Sequence, residues 1–160
     1  MYPKTVIELM SSPVRTLKTS DSLRKALNLL NKERIRHAPV LKDDRLVGIV
    51  SDRDVRMYLP PPIPFGHQEE SVSMLDKIRV NEMMTGNPIS IGPYHSVKEA
   101  ARILLERRIG ALPVVKEGRV IGIVTRSGIL EAMFSQVQTL EGANAPLGDA
   151  SSNRGKPPKG

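Results

Sequence analysis

The chain has 160 residues, a formal net charge of +7, no cysteine, no tryptophan, three tyrosines and two phenylalanines. This length predicts one compact domain, or two very small units that share a core, and the lack of cysteine excludes disulfide scaffolds and cysteine-based zinc sites. The longest apolar runs, Leu46–Val50 and Val120–Val124, fall well short of the ~18 residues of a membrane span, and no signal-peptide core follows Met1. These features predict a cytoplasmic protein without a membrane span.

The first half of the chain predicts a strand, a helix, two strands and a second helix. Val14–Leu17 reads as the first strand. Apolar residues then recur with the period of one helix face, at Leu23, Ala26, Leu27 and Leu30. The remaining strand, turn, strand and helix are expected at Ala38–Leu41, Asp43–Asp44, Leu46–Val50 and Ser51–Leu59.

A proline-rich segment ends this half. Four prolines within Pro60–Pro64 exclude a helix or a central strand and predict a stiff connector. Apolar residues further along predict a short amphipathic piece that leads into the second half, at Met74, Leu75, Ile78 and Val80.

The second half predicts the same elements in the same order. Ile89–Ile91 is the expected first strand, and Ser96 with Glu99 forms a possible capping box at the start of the helix. The apolar helix face is expected from Val97 to Leu104. Two strands, Leu112–Val115 and Val120–Val124, are expected on either side of a turn at Glu117–Gly118, and the last helix is expected from Thr125 to about Phe134.

The two halves are copies of each other. At an offset of 74 residues, Leu46–Ser51 matches Val120–Thr125, and twelve positions between Ser22 and Arg56 are identical to their partners. This pattern indicates a tandem duplication. We therefore divide the chain into repeat 1 (5–59), a connector (60–81), repeat 2 (82–135) and a tail (136–160) whose composition predicts disorder. Each repeat alone is too small to cover its sheet, so the two are expected to pack together.

Polar groups that are suited to ligand binding lie where the second strand of repeat 1 turns into a helix. The Ser51 hydroxyl, the Arg53 side chain and the amides of the helix start are suited to an anion. The Asp54 carboxylate can accept two hydrogen bonds from a vicinal diol such as a ribose. A purely structural interpretation is also open, in which Ser51 caps the helix and Asp54 compensates its dipole.

Two basic residues, Arg36 and His37, come just before the preceding strand. They are suited to contact a phosphate, or they are edge charges that discourage aggregation. No phosphate-binding glycine loop and no metal-ligand spacing of the three histidines occurs in the sequence. No nucleophile elbow occurs either, so we expect neither an enzyme nor a metal site.

The tandem arrangement resembles a pair of CBS domains, the module named after cystathionine β-synthase and also called a Bateman module. The resemblance rests on the Pro-Val strands, on Met10-x-x-Pro13 and Met84-x-x-x-Pro88, and on Gly-Ile-Val-Ser/Thr at Gly48–Ser51 and Gly122–Thr125. It covers about residues 5–135, and the chain is similar to stand-alone bacterial CBS proteins of the acetoin-utilisation type and other small members. It implies an α/β fold of two repeats with pseudo-twofold symmetry, assembled into a flat homodimer.

The resemblance also implies a ligand site. Pairs of CBS domains commonly bind AMP, ADP, ATP, NAD or S-adenosylmethionine as regulatory ligands, with no cofactor required. In repeat 1 it places Ser51 near phosphate, with basic residues in support, and Asp54 on the ribose. The adenine would be framed by backbone near Thr16 and Leu17 together with Pro39. The full set implied for this site is Thr16, Leu17, Arg36, His37, Pro39, Ser51, Arg53 and Asp54.

A second, weaker site is implied in repeat 2, at Pro113, Thr125 and Arg126. There Gly128 replaces the acid, and Gly110-Ala111 replaces the basic pair. Loss of a charged hydrogen bond to a ligand costs roughly 1.5–3 kcal/mol, or about ten- to a hundredfold in affinity.

We therefore expect a regulatory module that binds an adenosine-containing nucleotide in the cleft between the two repeats and signals to a protein partner that the sequence does not identify. Two alternatives remain open at this stage. One is a structural adaptor that binds no small molecule. The other is a nucleic-acid binder that uses the basic surface, which is less favoured because lysines and arginines form no block and the aromatic residues form no stacking platform.

Overall fold

The computed structural model describes residues 2–61 and 68–144. Two β-sheets form within these ranges, one with the strand order β1-β2-β3-β4 and one that pairs β5 with β6. The elements in chain order are α1 (Val6–Leu9), β1 (Leu17–Lys18), α2 (Leu23–Glu33), β2 (His37–Lys42), β3 (Arg45–Ser51), α3 (Asp52–Tyr58), α4 (Gln68–Lys77), α5 (Val80–Met83), β4 (Thr85–Gly86), α6 (Val97–Arg107), β5 (Ala111–Lys116), β6 (Arg119–Thr125) and α7 (Arg126–Asn144). The α/β class and the tandem repeat are confirmed.

The main helix of each repeat begins and ends in the same way. The Ser22 hydroxyl accepts a hydrogen bond from the Lys25 amide at 3.1 Å, and the Ser96 hydroxyl accepts one from the Glu99 amide at 3.0 Å. Both helices end at an arginine in the left-handed region. The capping box predicted at Ser96 is only half formed, because the Glu99 carboxylate contacts the His95 ring at 2.9 Å instead.

Each repeat continues with an antiparallel hairpin of the same register. His37 lies opposite Ser51 in β2–β3, and Ala111 lies opposite Thr125 in β5–β6. The turns of both hairpins use positive φ values, at Asp43 and Asp44 in one and at Glu117 and Gly118 in the other. The hairpins therefore bring the start of one strand beside the end of the next in both repeats.

The leading segment of each repeat packs into the core of the other repeat. Val6 of α1 is fully buried in the core formed by repeat 2, whereas Val80 of α5 is fully buried in the core formed by repeat 1. The same exchange places Met84 against Gly48 and Met10 against Gly122. A Cβ atom on either glycine would clash with the methionine sulfur, so the two leading segments can approach only because both strands carry glycine there.

The structure differs from the sequence expectations at several elements. Ile89–Ile91, predicted as a strand, forms only a single bridge, between Ile91 and Val114. It lies between Pro88 and Gly92-Pro93, and proline cannot donate to a ladder. Short elements that the sequence did not predict also occur, namely α1, α5 and β4.

The connector and the tail contain helix. Within the predicted connector, α4 spans Gln68–Lys77. Helix α7 runs on to Asn144, past the predicted end near Phe134 and into the segment expected to be disordered, because no proline interrupts residues 126–144. Residues 62–67 of the connector and 145–160 of the tail lie outside the described residues, and the division of the chain at residues 59, 81 and 135 stays a prediction. Within 2–61 and 68–144, no helix is long and apolar enough to cross a bilayer.

Candidate ligand site at the strand ends

The register of the first sheet gathers the predicted site residues of repeat 1 at one edge. Leu17 of β1 pairs in parallel with Val40 of β2, and His37 at the start of β2 lies opposite Ser51 at the end of β3. The start of β2 and the end of β3 therefore share this edge, where α3 begins, and β1 starts three residues further along β2. We call the polar residues here the strand-end cluster; they are Arg36, His37, Ser51, Arg53 and Asp54.

Ser51 and Asp54 form a reciprocal capping box at the start of α3. The Asp54 amide donates to the Ser51 hydroxyl at 3.1 Å, while the Ser51 amide and hydroxyl both donate to Oδ2 of Asp54 at 2.8 Å. The structural interpretation of this pair is thus confirmed. It does not exclude a ligand role, because both bonds that Asp54 accepts go to the same one of its two oxygens.

His37 lies where the two repeats meet. A Cβ atom on Gly110 of repeat 2 would come within 2.7 Å of His37 Nε2, so the imidazole ring lies directly on the backbone of that glycine. Burial lowers the pKa of His37 below its usual value of 6.5; the nearby charges of Asp52 and Asp54 oppose this shift, and Arg36 adds to it.

The two arginines of the cluster have exposed side chains, and hydrogen bonds hold the backbone that carries them. The Arg36 carbonyl accepts a hydrogen bond from the Asp52 amide at 2.8 Å, which links the start of β2 to the start of α3. Arg53 lies in the first turn of α3 and is also exposed. Both guanidinium groups can therefore reorient towards an anion at this edge without disturbing the fold.

The residues expected to frame an adenine differ in what they expose. Thr16 is half-buried and precedes β1, whereas Leu17 is 1% exposed and belongs to the core. Pro39 is buried and lies opposite Ile49. At Leu17 only the backbone can face a ligand, because its side chain packs inwards.

Repeat 2 forms the same corner with fewer charged groups. The Gly128 amide donates to the Thr125 hydroxyl at 3.0 Å, and the Arg126 amide donates to the Gly110 carbonyl at 3.0 Å. Arg126 is exposed, and Pro113 is buried opposite Ile123. Pro113 and Thr125 therefore occupy the positions of Pro39 and Ser51, whereas Arg126 is equivalent to Asp52, and glycine stands where repeat 1 has the Asp54 carboxylate.

Sequence reasoning missed two residues that shape the cluster. Gly110 was interpreted only as the absence of a basic group, yet it allows His37 to reach the repeat interface. Asp52 was not singled out, although it contributes to the charge around His37 and pairs with Arg56. The alignment of the repeats contained a signal for Gly110, because glycine replaces Arg36 at that position.

A separate cleft lies at the turn end of the two hairpins, away from the strand-end cluster. Its volume is about 750 Å³, and both hairpin turns line it, with Arg45 and Arg119 at equivalent positions beside carboxylates. No residue of the strand-end cluster lines this cleft. Within the parts of the chain that the structure describes, no group of three or more histidine, aspartate or glutamate side chains is placed to hold a metal ion.

Comparison with known proteins identifies similar chains. The sequence model of the CBS domain matches residues 6–61 and 80–135. A CBS domain-containing protein of Dictyostelium discoideum is 35% identical over 135 residues, which cover 83% of this chain and 93% of that protein.

Two solved structures of this kind contain adenosine compounds. CBSX2 in complex with AMP is 30% identical, with a TM-score of 0.65, and the match covers 82% of this chain and 97% of that chain. The CBS domain pair of protein MJ0100, in complex with 5′-methylthioadenosine and S-adenosyl-L-methionine, is 26% identical, with a TM-score of 0.67 and coverage of 82% and 97%.

Proposed function

The chain belongs to the CBS domain family, and from that premise we propose that it is a regulatory module that binds an adenosine-containing ligand at the strand-end cluster of repeat 1. The observation that carries the proposal is the register that places the start of β2, with Arg36 and His37, beside the Ser51–Asp54 pair at one sheet edge. The similar structures with AMP and with S-adenosyl-L-methionine support an adenosine compound as the ligand class.

In this proposal each part of an adenine nucleotide has a partner. Asp54 accepts hydrogen bonds from the ribose hydroxyls through the carboxylate oxygen that Ser51 does not contact. Arg36, His37 and Arg53 donate to the phosphate, where charged hydrogen bonds are stronger than neutral ones. Backbone near Thr16 and the ring of Pro39 frame the adenine.

Signalling in this proposal depends on the contact between the repeats. His37 lies on Gly110, so a ligand that engages His37 acts at the boundary of repeat 1 and repeat 2. A ligand shifts the packing of the two repeats only as far as its affinities for the two arrangements differ. A protein partner then reads the change.

Repeat 2 is proposed as a weak site for the same ligands, at Pro113, Thr125 and Arg126. Gly128 leaves the ribose without a carboxylate, and repeat 2 lacks the basic pair. The proposal also includes the absence of catalysis, a cytoplasmic location and a homodimer, all of which stem from the resemblance to stand-alone CBS proteins.

The direct test is calorimetric titration of the chain with AMP, ADP, ATP, NAD and S-adenosylmethionine, with GTP for comparison. Asp54→Asn should weaken binding of the best ligand about ten- to a hundredfold, because a charged acceptor for the ribose is lost while the shape is kept. Asp44→Asn at the hairpin turn makes the same charge change far from the cluster and should leave binding unchanged.

Two results would overturn the proposal. If no adenosine compound binds at millimolar concentration, the structural adaptor becomes the better account. If a ligand binds equally well to Asp54→Asn and to the unchanged chain, the site lies elsewhere, and the cleft at the hairpin turns is then the first place to look.

A further inference from the structure

A pocket opens between helices α2 and α3 of repeat 1. Its volume is about 310 Å³, at the lower end of the range of small-molecule pockets. The residues that line this α2–α3 pocket come from the last turns of α2, from the loop that follows and from the start of α3. Of the strand-end cluster, only Arg36 lines it, so most of the pocket is separate from the proposed nucleotide site.

The floor of the α2–α3 pocket is apolar. Leu30 and Val55 are 4% and 1% exposed and belong to the repeat 1 core, and the half-buried Leu27 and Ile35 pack against that core. A hydrogen bond from the Ile35 amide to the Leu30 carbonyl, at 3.0 Å, holds the backbone at the end of α2. The floor is therefore preformed and offers an apolar surface to part of a ligand.

The rim of the pocket is positively charged. It carries three exposed arginines, Arg34, Arg36 and Arg56, and one acid, Asp52. Asp52 pairs with Arg56, whereas no ion pair within residues 2–61 and 68–144 involves Arg34 or Arg36. Guanidinium groups bind carboxylates through paired hydrogen bonds. Two such groups above an apolar floor are complementary to an anion that carries an apolar chain.

The fold does not require this rim. At an offset of 74 residues the floor is again apolar, at Leu104, Ile109 and Ile129. The rim differs, because glycine replaces Arg36, leucine replaces Arg56 and arginine replaces Asp52. Repeat 2 still forms the same helix end, with Arg108 in the left-handed region as Arg34 is in repeat 1. The shared fold therefore does not depend on the charged groups around the α2–α3 pocket.

We propose that the α2–α3 pocket is a separate ligand site, which binds a carboxylate joined to a short apolar chain. The carboxylate pairs with Arg34 and Arg36, and the apolar chain packs on Ile35 and Val55. Either a free aliphatic acid or the C-terminus of a peptide that ends in an apolar residue supplies such a group. This site goes beyond the proposed nucleotide site and does not rest on it.

The first experiment is an NMR titration of the full chain with isocaproate, up to a concentration on the order of 10 mM. The methyl signals of Ile35 and Val55 should shift in a saturable way, while those of their repeat 2 equivalents, Ile109 and Ile129, should stay in place. Acetate and inorganic phosphate carry charge without the apolar chain, and the neutral amide of isocaproate carries the chain without charge. None of these should shift the two signals. Equal shifts with the amide, or no shift with isocaproate, would overturn the proposal.

A substitution on the rim tests the role of charge. Arg34→Gln should weaken isocaproate binding about tenfold or more, because a charged hydrogen-bond partner of the carboxylate is lost, and should leave AMP binding unchanged. Arg108→Gln makes the same change at the equivalent helix end of repeat 2 and should alter neither. Circular dichroism melts confirm that both variants are folded.

Two outcomes for these variants would contradict the proposal. An equal loss of isocaproate binding in Arg34→Gln and Arg108→Gln would mean that overall positive charge attracts the acid, and that the pocket is not its site. A loss of AMP binding together with isocaproate binding in Arg34→Gln would mean that the pocket is part of the nucleotide site.

A peptide probe distinguishes the two sources of the carboxylate. N-acetyl-glycyl-leucine carries the C-terminal carboxylate of a peptide, and the same peptide with an amidated C-terminus is its neutral control. Tighter binding of this peptide than of isocaproate would support the C-terminus of a protein partner as the ligand, and weaker binding would support a free acid. Equal binding of the peptide and its amidated form would overturn recognition of the carboxylate.

Discussion

Repeat 1 and repeat 2 form the same corner between strand and helix, yet they place different groups on it. In repeat 1 the Ser51 hydroxyl accepts from the Asp54 amide at 3.1 Å, and in repeat 2 the Thr125 hydroxyl accepts from the Gly128 amide at 3.0 Å. The cap is therefore present in both repeats, whereas the carboxylate is present in only one.

This difference shows which side chains the helix cap requires and which it does not. A hydroxyl at the end of the strand is enough to cap the helix, because the cap of repeat 2 forms without an acid three residues later. The Asp54 carboxylate of repeat 1 is thus not required for the helix cap that the two repeats share. This supports a role for Asp54 in ligand binding, beyond its contribution to the capping box.

The two packed cores do not coincide with the two repeats of the sequence. Each core contains a leading segment from the other half of the chain, α1 in the core of repeat 2 and α5 in the core of repeat 1. The repeat in the sequence and the packed unit in space are therefore offset. Three predictions test these comparisons, from the largest expected effect to the smallest.

The largest effect is expected from the cores. Val6→Ala should cost about 1–3 kcal/mol of unfolding free energy, and Leu104→Ala about 2–5 kcal/mol, because both side chains are almost fully buried. The double variant should deviate from additivity by at least about 0.5 kcal/mol, since both residues belong to the repeat 2 core. Urea unfolding measures all three values.

The matched comparison uses Leu30, the repeat 1 equivalent of Leu104. Val6→Ala combined with Leu30→Ala should be additive to within about 0.5 kcal/mol, because these residues lie in different cores. Coupling of Val6 to Leu30 instead of Leu104 would show that the leading segments are not exchanged.

A smaller effect is expected when the acid is restored to repeat 2. Gly128→Asp should raise the unfolding free energy by about 1 kcal/mol, because a glycine leaves the first turn of a helix and an acid enters it. A Cβ atom there lies 3.1 Å from the Thr125 hydroxyl, so that hydroxyl must shift by a few tenths of an ångström. Thermal and urea unfolding measure the change.

The same variant sharpens the functional comparison. If a carboxylate is what repeat 2 lacks, Gly128→Asp should strengthen AMP binding to a second site, seen as a rise in stoichiometry in calorimetry. Gly128→Asn keeps the shape without the charge and is the control. Unchanged stoichiometry in Gly128→Asp would mean that Gly110-Ala111 also limits the second site.

The smallest effect is a pH dependence specific to repeat 1. Because burial lowers the pKa of His37, the folded protein binds this proton more weakly than the unfolded chain does. The stability that neutral His37 contributes is present above pH 6.5, and it is lost as the pH falls from the unfolded pKa towards the lower folded pKa. Repeat 2 has alanine at this position and makes no such contribution.

Urea unfolding at about pH 7.5 and about pH 5.5 measures this difference. His37→Gln should lose less stability over this range than the unchanged chain. His95→Gln changes a histidine whose side chain is 51% exposed and should keep the full loss. Equal losses in the unchanged chain and in His37→Gln would contradict the contribution of His37.

Much of the fold could be predicted from local patterns. The apolar period of α2 and α6, the two hairpins and the Ser51 corner follow from residues close together in the chain, and the structure confirms them. Only side-chain pattern and turn residues are needed for such elements. The candidate cluster was found in the same way, because Arg36 and Ser51 each lie at a strand end.

Other features could not be predicted from local pattern. The two residues of β4 have no strand signal and form a strand only because they pair with Gly48 and Ile49 of β3. The stretch of α7 beyond Phe134 has a composition that suits a loop as well as a helix. In both cases partners distant in the chain, or the continuation of an existing helix, decide the outcome.

The sequence by itself determined the duplication, the type of each main element and the loss of the acid at Gly128, because each of these is recorded in residue identity and spacing. Only the tertiary structure decided which core each leading segment enters, and that His37 lies against Gly110. These are contacts between residues far apart in the chain. Their free energy depends on how two similar surfaces fit together, and no single segment contains that information.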